Sequence, residues 1–230
     1  DRDGLARICK FKVKGKTLET PTIFAVYNPN IPTITPKDIA KVGLPIITSA
    51  YILWKTKRDE VLKKGIHGLL KSENVIMTDS GAFQAFQYGD VELTNQAVVE
   101  FQKKIGTDIG VILDRIVGME EDKTKAREMV HDTIRRAEEL FDIGKGDVLW
   151  AAPIQGGMHY DLIRYSAQKL SRMDFDLYCV GSVVPFLESY KFNVVANQIL
   201  TAKQYLPPSR PVHLFGAGHP LILAFACLLG

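Results

Sequence analysis

The sequence predicts an α/β fold in which strands and helices alternate, arranged as a (β/α)8 TIM-type barrel and preceded by an antiparallel hairpin. Three observations lead there. Seven short apolar runs, β-branched or aromatic, alternate with amphipathic helical stretches along the 230 residues, the pattern of right-handed βαβ units. No G-x-G-x-x-G follows the first run, which argues against a dinucleotide-binding doubly wound sheet. Polar and glycine residues recur at the C-terminal ends of the runs, where a barrel displays its chemistry.

The elements follow in chain order. "ARICKFKVKGKTLETP" (6–21) reads as the hairpin, turning at Gly15. The strand runs are "TIFAVY" (22–27), "PIITSA" (45–50), "VIMT" (75–78), "IGVILD" (109–114), "VLWAAPI" (148–154), "LYCVGS" (177–182) and "VHLFG" (212–216), each bounded by turn residues. Among the helical stretches, "TPKDIAKVG" (35–43) carries a Thr cap, a first-position Pro and a Gly stop. "LTNQAVVEFQKKIG" (93–106) has a Thr94 cap, apolar residues at helical spacing and a stop at Gly106. "EEDKTKAREMVHDTIRRAEELF" (120–141) is long and charged, with acids early and bases later. "YDLIRYSAQKLSRMDF" (160–175), "LESYKFNVVANQILTAKQYL" (187–206) and "HPLILAFACLLG" (219–230) complete the set.

With 46% hydrophobic and 24% charged residues, the chain has the composition of a soluble domain that buries a core without disulfide or metal staples. The net charge of +3 is compatible with a nucleic-acid partner and does not demand one. Cys9, Cys179 and Cys227 are widely spaced, with no C-x-x-C clip, so a reducing cytoplasm is the expected location. The longest apolar stretch, Pro220 to Leu229, is too short to span a bilayer and no signal peptide is visible, so no membrane role is expected. The chain starts at Asp1 and stops at Gly230 directly after an apolar run, and both ends read as cut. No phosphate loop, nucleophile elbow or HExxH zinc motif occurs, and neither a cofactor nor a metal is expected within this chain.

The ends of the strand runs read Asn28-Pro29-Asn30, Thr48-Ser49, Asp79-Ser80-Gly81, Asp114, Gln155-Gly156-Gly157, Gly181-Ser182 and Gly216-Ala217-Gly218-His219. Asp79 and Asp114 each close an apolar run, where desolvation raises a carboxyl pKa. They act as base recogniser and proton shuttle, or else Asp79 caps the next turn and Asp114 pairs with Arg115 or another base. Phe83 and Phe86 offer a flat face for a planar ring, or pack in the core. Gln155 offers a donor and an acceptor that match the edge of a purine-like heterocycle, and Gly156 and Gly157 let a ring approach the backbone. Gly181-Ser182-Val183-Val184 repeats the idea with backbone amides and small apolar contacts, or is a tight βα turn.

His219 meets a phosphate at a helix start or occupies a turn, and His213 reads as a core histidine. Lys10, Lys12, Lys14 and Lys16 alternate along the hairpin. With Lys55, Lys57, Arg58, Lys63 and Lys64 they follow a phosphate backbone or simply face solvent. The residues by themselves support a barrel enzyme that binds a planar polar heterocycle.

"TDSGAFQ" with its following "YG", then "PIQGG", "GSVVPFLESY" and "PVHLFGAGHP", resemble in this order the tRNA-guanine transglycosylase family in its archaeal, archaeosine-forming branch. The resemblance runs from "DGLARI" through "ETPTIFAVYNPN" and "GIHGLL" to Gly230. It implies a (β/α)8 barrel that exchanges guanine in the tRNA D-loop for 7-cyano-7-deazaguanine. One aspartate attacks the ribose anomeric carbon, a second is general acid/base, and the nucleotide leaves its stack to be reached.

By position, Asp79 matches the general acid/base of the D-S-G-x-F-Q motif. Ser80 and Phe83 match residues touching the base, with the Phe83 ring stacking on it. Asp114 matches the acid that reads the amino and ring N–H groups, and Gln155, with Gly156, the opposite edge. Gly181, Val183 and Val184 match pocket contacts. Two departures stand out. "RIVGME" follows Asp114 in place of an I-P-T-P-P-like stretch and puts Arg115 beside the acid. The family's nucleophilic aspartate, eighth strand, Cys₃His zinc site and tRNA-binding domains would all follow Gly230.

Residues 1–230 are therefore expected to form a transglycosylase-like catalytic barrel domain lacking its last strand. Zinc is expected only with the C-terminal continuation; the chain is expected to be part of a longer polypeptide or one piece of a split enzyme, as a homodimer or with a partner chain that carries the missing C-terminal part. The expected partners are tRNA and 7-cyano-7-deazaguanine or guanine. The alternatives are archaeosine synthase, an amidine-forming transferase acting on the cyano base in tRNA, and a non-catalytic tRNA-binding subunit of a split enzyme.

Overall fold

The computed structural model of the chain describes residues 1–31, 33–84 and 94–230. After a short antiparallel pair, β1 (Arg2–Asp3) and β2 (Ala6–Arg7), comes a hairpin of β3 (Cys9–Val13) and β4 (Lys16–Thr20) that turns at Lys14 and Gly15. The expected hairpin is present. Its first residues, Ala6 and Arg7, pair instead with Arg2 and Asp3.

Seven strands then form one sheet in which every pairing is parallel: β5 (Ala25–Val26), β6 (Ile46–Ser49), β7 (Ile76–Asp79), β8 (Ile109–Val111), β9 (Leu149–Ile154), β10 (Leu177–Val180) and β11 (Val212–Leu214). They lie side by side in chain order, β5 through β11, and the order never reverses. A doubly wound sheet needs such a reversal, so the winding is that of a barrel. The sheet is also curled. Phe24, next to edge strand β5, meets His213 of the opposite edge strand β11 edge-on, with ring centroids 5.7 Å apart.

Side chains alternate across this curl as strand geometry requires. Ile47, Met77, Ile109, Val111, Ala151, Leu177 and Cys179 point inward and form one cluster with Val13 of the hairpin. Ile46 and Ile76 point outward into the helical layer. The hairpin plugs the N-terminal end of the sheet: Lys14 Nζ donates to Thr107 O at 2.8 Å, and Lys16 Nζ lies 3.8 Å from Asp108, just before β8. Asp108 also accepts from Ile76 N at 2.9 Å and faces His67 Nε2 at 3.0 Å. Half of the expected lysine stripe thus binds this protein's own backbone and carboxylate, at the end away from Asp79.

The helices are α1 (Pro36–Lys41), α2 (Ala50–Thr56), α3 (Arg58–Leu70), α4 (Asn95–Ile105), α5 (Lys123–Ile143), α6 (Tyr160–Leu170), α7 (Val184–Glu188), α8 (Phe192–Lys203) and α9 (Pro220–Leu229). The caps expected at Thr35 and Thr94 are present. Thr94 accepts from Ala97 N at 3.1 Å to start α4, and Gly106 ends it at φ 71°. Asp122 accepts from the N–H groups of Thr124 and Lys125 to start α5, whose Ala126, Val130, Ile134 and Ala137 form the buried stripe.

Two details depart from the expectation. The stretch 187–206 is not one helix: it breaks at Tyr190 (φ 55°), and the first piece starts earlier, at Val184. Helices α2 and α3 carry no helix expectation at all. Among the described residues no helix is long and apolar enough to cross a membrane.

Candidate active site

One cavity of about 730 Å³ runs along the open side of the sheet between β5 and β11, from Phe11, Leu18 and Leu177 up to the C-terminal ends of the strands. Asp79, Phe83, Asp114, Gln155, Gly181, Val183 and Val184 all line it. Two expected base contacts do not. Ser80 is fully buried with its Oγ accepting from Ala82 N, and Gly156 packs against Ile163 of α6, which stands 2.6 Å from where a Cβ would be. Phe86 lies outside the described residues. His219 is not on the wall; it is exposed at the start of α9, where its Nδ1 accepts from Leu221 N at 3.3 Å and caps the helix. His213 is half-buried on the wall, and burial pushes its pKa down to about 4, so it is a neutral ring near pH 7.

The cavity position of Asp79 follows from strand alternation. Thr78 points outward to Gln102 of α4 at 2.7 Å, so Asp79 one residue on must point inward. Burial raises its pKa to about 6, against the opposing pull of the Ser80 and Gly81 N–H groups on the carboxylate. Cap-like hydrogen bonding and cavity exposure therefore coexist in this side chain. A carboxyl titrating just below neutrality is suited to give and take a proton at cellular pH.

Asp114 is 7% exposed, and burial first, then the negative charge of Asp79, pushes its pKa up to about 7. Its hydrogen bond from Gln155 Nε2, at 2.5 Å, works in the opposite direction. No salt bridge satisfies it among the described residues: Arg115 is exposed, and Arg136 of α5 donates to the backbone carbonyls of Leu113 and Asp114. "RIVGME" still builds the wall. Ile116 lines the cavity, and Val117 N–H points to Gln155 Oε1 at 3.4 Å and Ser182 Oγ at 3.1 Å.

Gln155 is fully buried and held on every side. Nε2 donates to Asp114, Oε1 accepts from the Ser182 hydroxyl, and the amide lies flat on Gly181, where any Cβ would collide with it. Opposite stand Ser49 and Gln84, joined by a hydrogen bond of 3.3 Å, with Asn28 and Tyr27 at the rim. Ile116, Val117 and Gln84 are contributions that reading the sequence did not assign. Val117 acts through its backbone N–H, which any residue but proline carries, so no letter marks it.

The site thus presents two carboxyl groups that share one low-dielectric space, an amide between donor and acceptor partners, an aromatic and two valines. Donors, acceptors and a flat apolar face of this kind can pair with the polar edge of a planar heterocycle, and a carboxyl titrating near neutrality can move a proton. The family described as queuine tRNA-ribosyltransferase matches residues 1–230.

The chain belongs to that family.

Among similar proteins, the tRNA-guanine(15) transglycosylase of Methanopyrus kandleri is 43% identical over 100% of this chain and 50% of its own length. The proteins of the same name in Pyrococcus furiosus and Archaeoglobus fulgidus are 44% and 41% identical, again over 100% of this chain, with 40% and 48% of their own lengths covered. The chain therefore spans half or less of these curated relatives. Asp79 ends β7, and Asp114 and Gln155 follow β8 and β9, so their meeting at one cavity depends on the curl of the sheet. Among the described residues no group of three or more His, Cys, Asp and Glu could hold a metal ion.

Proposed function

We propose that this chain forms the base-exchange pocket of a tRNA-guanine transglycosylase that replaces guanine at position 15, in the tRNA D-loop, with 7-cyano-7-deazaguanine. The observation that carries the reading is the convergence of Asp79, Asp114 and Gln155 on one cavity at the strand ends. The names of the relatives supply the tRNA and the position. Asp114 accepts from the ring and amino N–H groups of the base, Gln155 meets its oxygen edge, Phe83 stacks on its face, and Asp79 is the general acid/base. The nucleotide must leave its stack to bring its base between Asp79, Asp114 and Gln155.

The fold of the whole enzyme is proposed as a (β/α)8 barrel. An eighth parallel strand between β11 and β5, from a continuation or a partner chain, closes the curl and brings the nucleophilic aspartate; a zinc site and tRNA-binding domains belong to the same additional part. Archaeosine synthase gains no specific support, because "RIVGME" leaves Asp114 and Gln155 in place and turns Arg115 outward.

The test is release of labelled guanine from tRNA on addition of 7-cyano-7-deazaguanine. Exchange is expected from the protein together with the part that carries the eighth strand, and is abolished in Asp79→Asn. Exchange that survives Asp79→Asn, or none with any complementing chain, contradicts the proposal.

A further inference from the structure

We propose that Ser182 is a positioning residue that fixes the sense of the Gln155 amide, and so makes the pocket accept an oxo-purine and reject the 6-amino analogue. The inference rests on the base-pocket reading above and deepens it.

An amide has two nearly isosteric ends, and only its partners decide which faces where. Here one partner is unambiguous. Val117 N–H can only donate, and it lies 3.1 Å from Ser182 Oγ and 3.4 Å from Gln155 Oε1. A Ser182 oxygen that accepts from Val117 has its single proton free for another acceptor, and the atom in reach is Gln155 Oε1. The amide oxygen therefore belongs on this side. Nε2 is turned to Asp114 Oδ2 at 2.5 Å, with a second N–H remaining for a ligand. Reversed, the amide would set its NH₂ against the Val117 N–H, donor against donor.

Two backbone features make this arrangement available. Ser182 sits at φ 59°, a left-handed conformation that a residue with a side chain rarely adopts and glycine takes freely. The position nevertheless carries a hydroxyl, and that hydroxyl is engaged twice. Gly181 beside it has no Cβ, which lets the amide lie against the strand end. Both residues stand where β10 ends, across the cavity from Asp79.

A fixed sense has a chemical consequence. Gln155 offers the ligand a donor and Asp114 an acceptor, which matches a purine with oxygen at C6 and N–H groups at N1 and C2. An amino group at C6 would meet a donor and be left unpaired, a mismatch that a buried site punishes. Guanine and 2,6-diaminopurine differ in this group and in the N1 proton that accompanies it.

The test is calorimetric titration of both bases into the unaltered protein, Ser182→Gly and Ser182→Ala. Glycine relieves the backbone and removes the hydroxyl, so Ser182→Gly is expected to melt no lower than the parent. Both variants are expected to bind guanine about tenfold more weakly and to lose about tenfold in preference over 2,6-diaminopurine. The pH above which guanine is bound also rises in the variants, because an amide oxygen turned toward Asp114 favours its protonated form. A preference unchanged in Ser182→Gly, with guanine still bound, overturns the role of Ser182 alone. Failure of the unaltered protein to bind guanine overturns the pocket reading, and this inference with it.

Discussion

Replacing Asp114 by Asn should change how stability depends on pH more than it changes stability at any one pH. Burial and the charge of Asp79 raise the Asp114 pKa from 3.8 to about 7 in the folded protein. Between these values the folded state holds a proton that the unfolded state has released, so stability is highest at the acidic end and is lost as pH rises through 7. From pH 5 to pH 8 about two pKa units of this window are crossed, worth about 3 kcal/mol at ~1.4 kcal/mol per unit. Asn keeps an oxygen to accept from Gln155 Nε2 and has nothing to titrate. The stability of Asp114→Asn relative to the parent should therefore improve by about 3 kcal/mol over that range. The assay is urea unfolding at half-unit pH steps. Asp79→Asn supplies an internal control: removing its charge lowers the Asp114 pKa, so the loss of stability begins at lower pH. Parallel curves for parent and Asp114→Asn, within about 0.5 kcal/mol, would refute the desolvation argument and mean that Asp114 is ionised throughout.

Two further predictions concern opposite ends of the sheet. Gly181→Ala puts a Cβ onto the Gln155 amide; a cost of about 1–3 kcal/mol in unfolding and a greater than tenfold loss of guanine affinity by calorimetry are expected, and unchanged affinity would show the amide free to move. Asp108→Ala strips the partner from His67, Lys16 and Ile76 N–H and should cost about 3 kcal/mol. The His67 pKa is raised by its hydrogen bond to Asp108. For Asp108, burial works upward, but hydrogen bonds from His67 and Ile76 hold it below its ordinary value. The pair's contribution is thus complete below about pH 6.5, vanishes as pH rises through the raised His67 pKa, and is lost again in acid when Asp108 protonates. Melting curves of His67→Gln against the parent should converge on the alkaline side.

The strands and their ends were legible because their signals are local: a β-branched run, then a polar or glycine turn. Helices α2 and α3 were not. Helix α2 leaves the strand without an intervening loop, Ser49 being both last strand residue and N-cap. Helix α3 carries Gly65 at φ 69° inside it, a break that dilutes the helical period despite buried Val61, Ile66 and Leu70. The hairpin lysines show the converse error. Alternation was read correctly, yet Lys14 and Lys16 are consumed by Thr107 and Asp108, residues far away in the sequence. Site membership split in the same way. Asp79, Asp114 and Gln155 follow from strand-end position, whereas Ser80 and Gly156 are adjacent in sequence and turn away, since neighbouring residues face opposite directions.

Strand β8 condenses the design. Asp108 precedes it and Asp114 follows it, both nearly buried, yet their carboxyl groups shift in opposite directions. Asp108 faces His67, Lys16 and a backbone N–H, so its charge is met and ties the plug to the sheet. Asp114 faces a neutral amide and another acid, so its charge is left to be met by whatever enters the cavity. An ionised acid with no cation beside it is costly in the empty pocket, and a base bearing N–H groups relieves that cost on binding. Arg136 pairs with Asp132 and donates to the carbonyls behind Asp114, so it pulls on the Asp114 carboxyl from a distance, more weakly than burial and the charge of Asp79 push the other way. Stability is concentrated at the N-terminal ends of the strands and chemical readiness at the C-terminal ends, and what separates them is where the cations are placed.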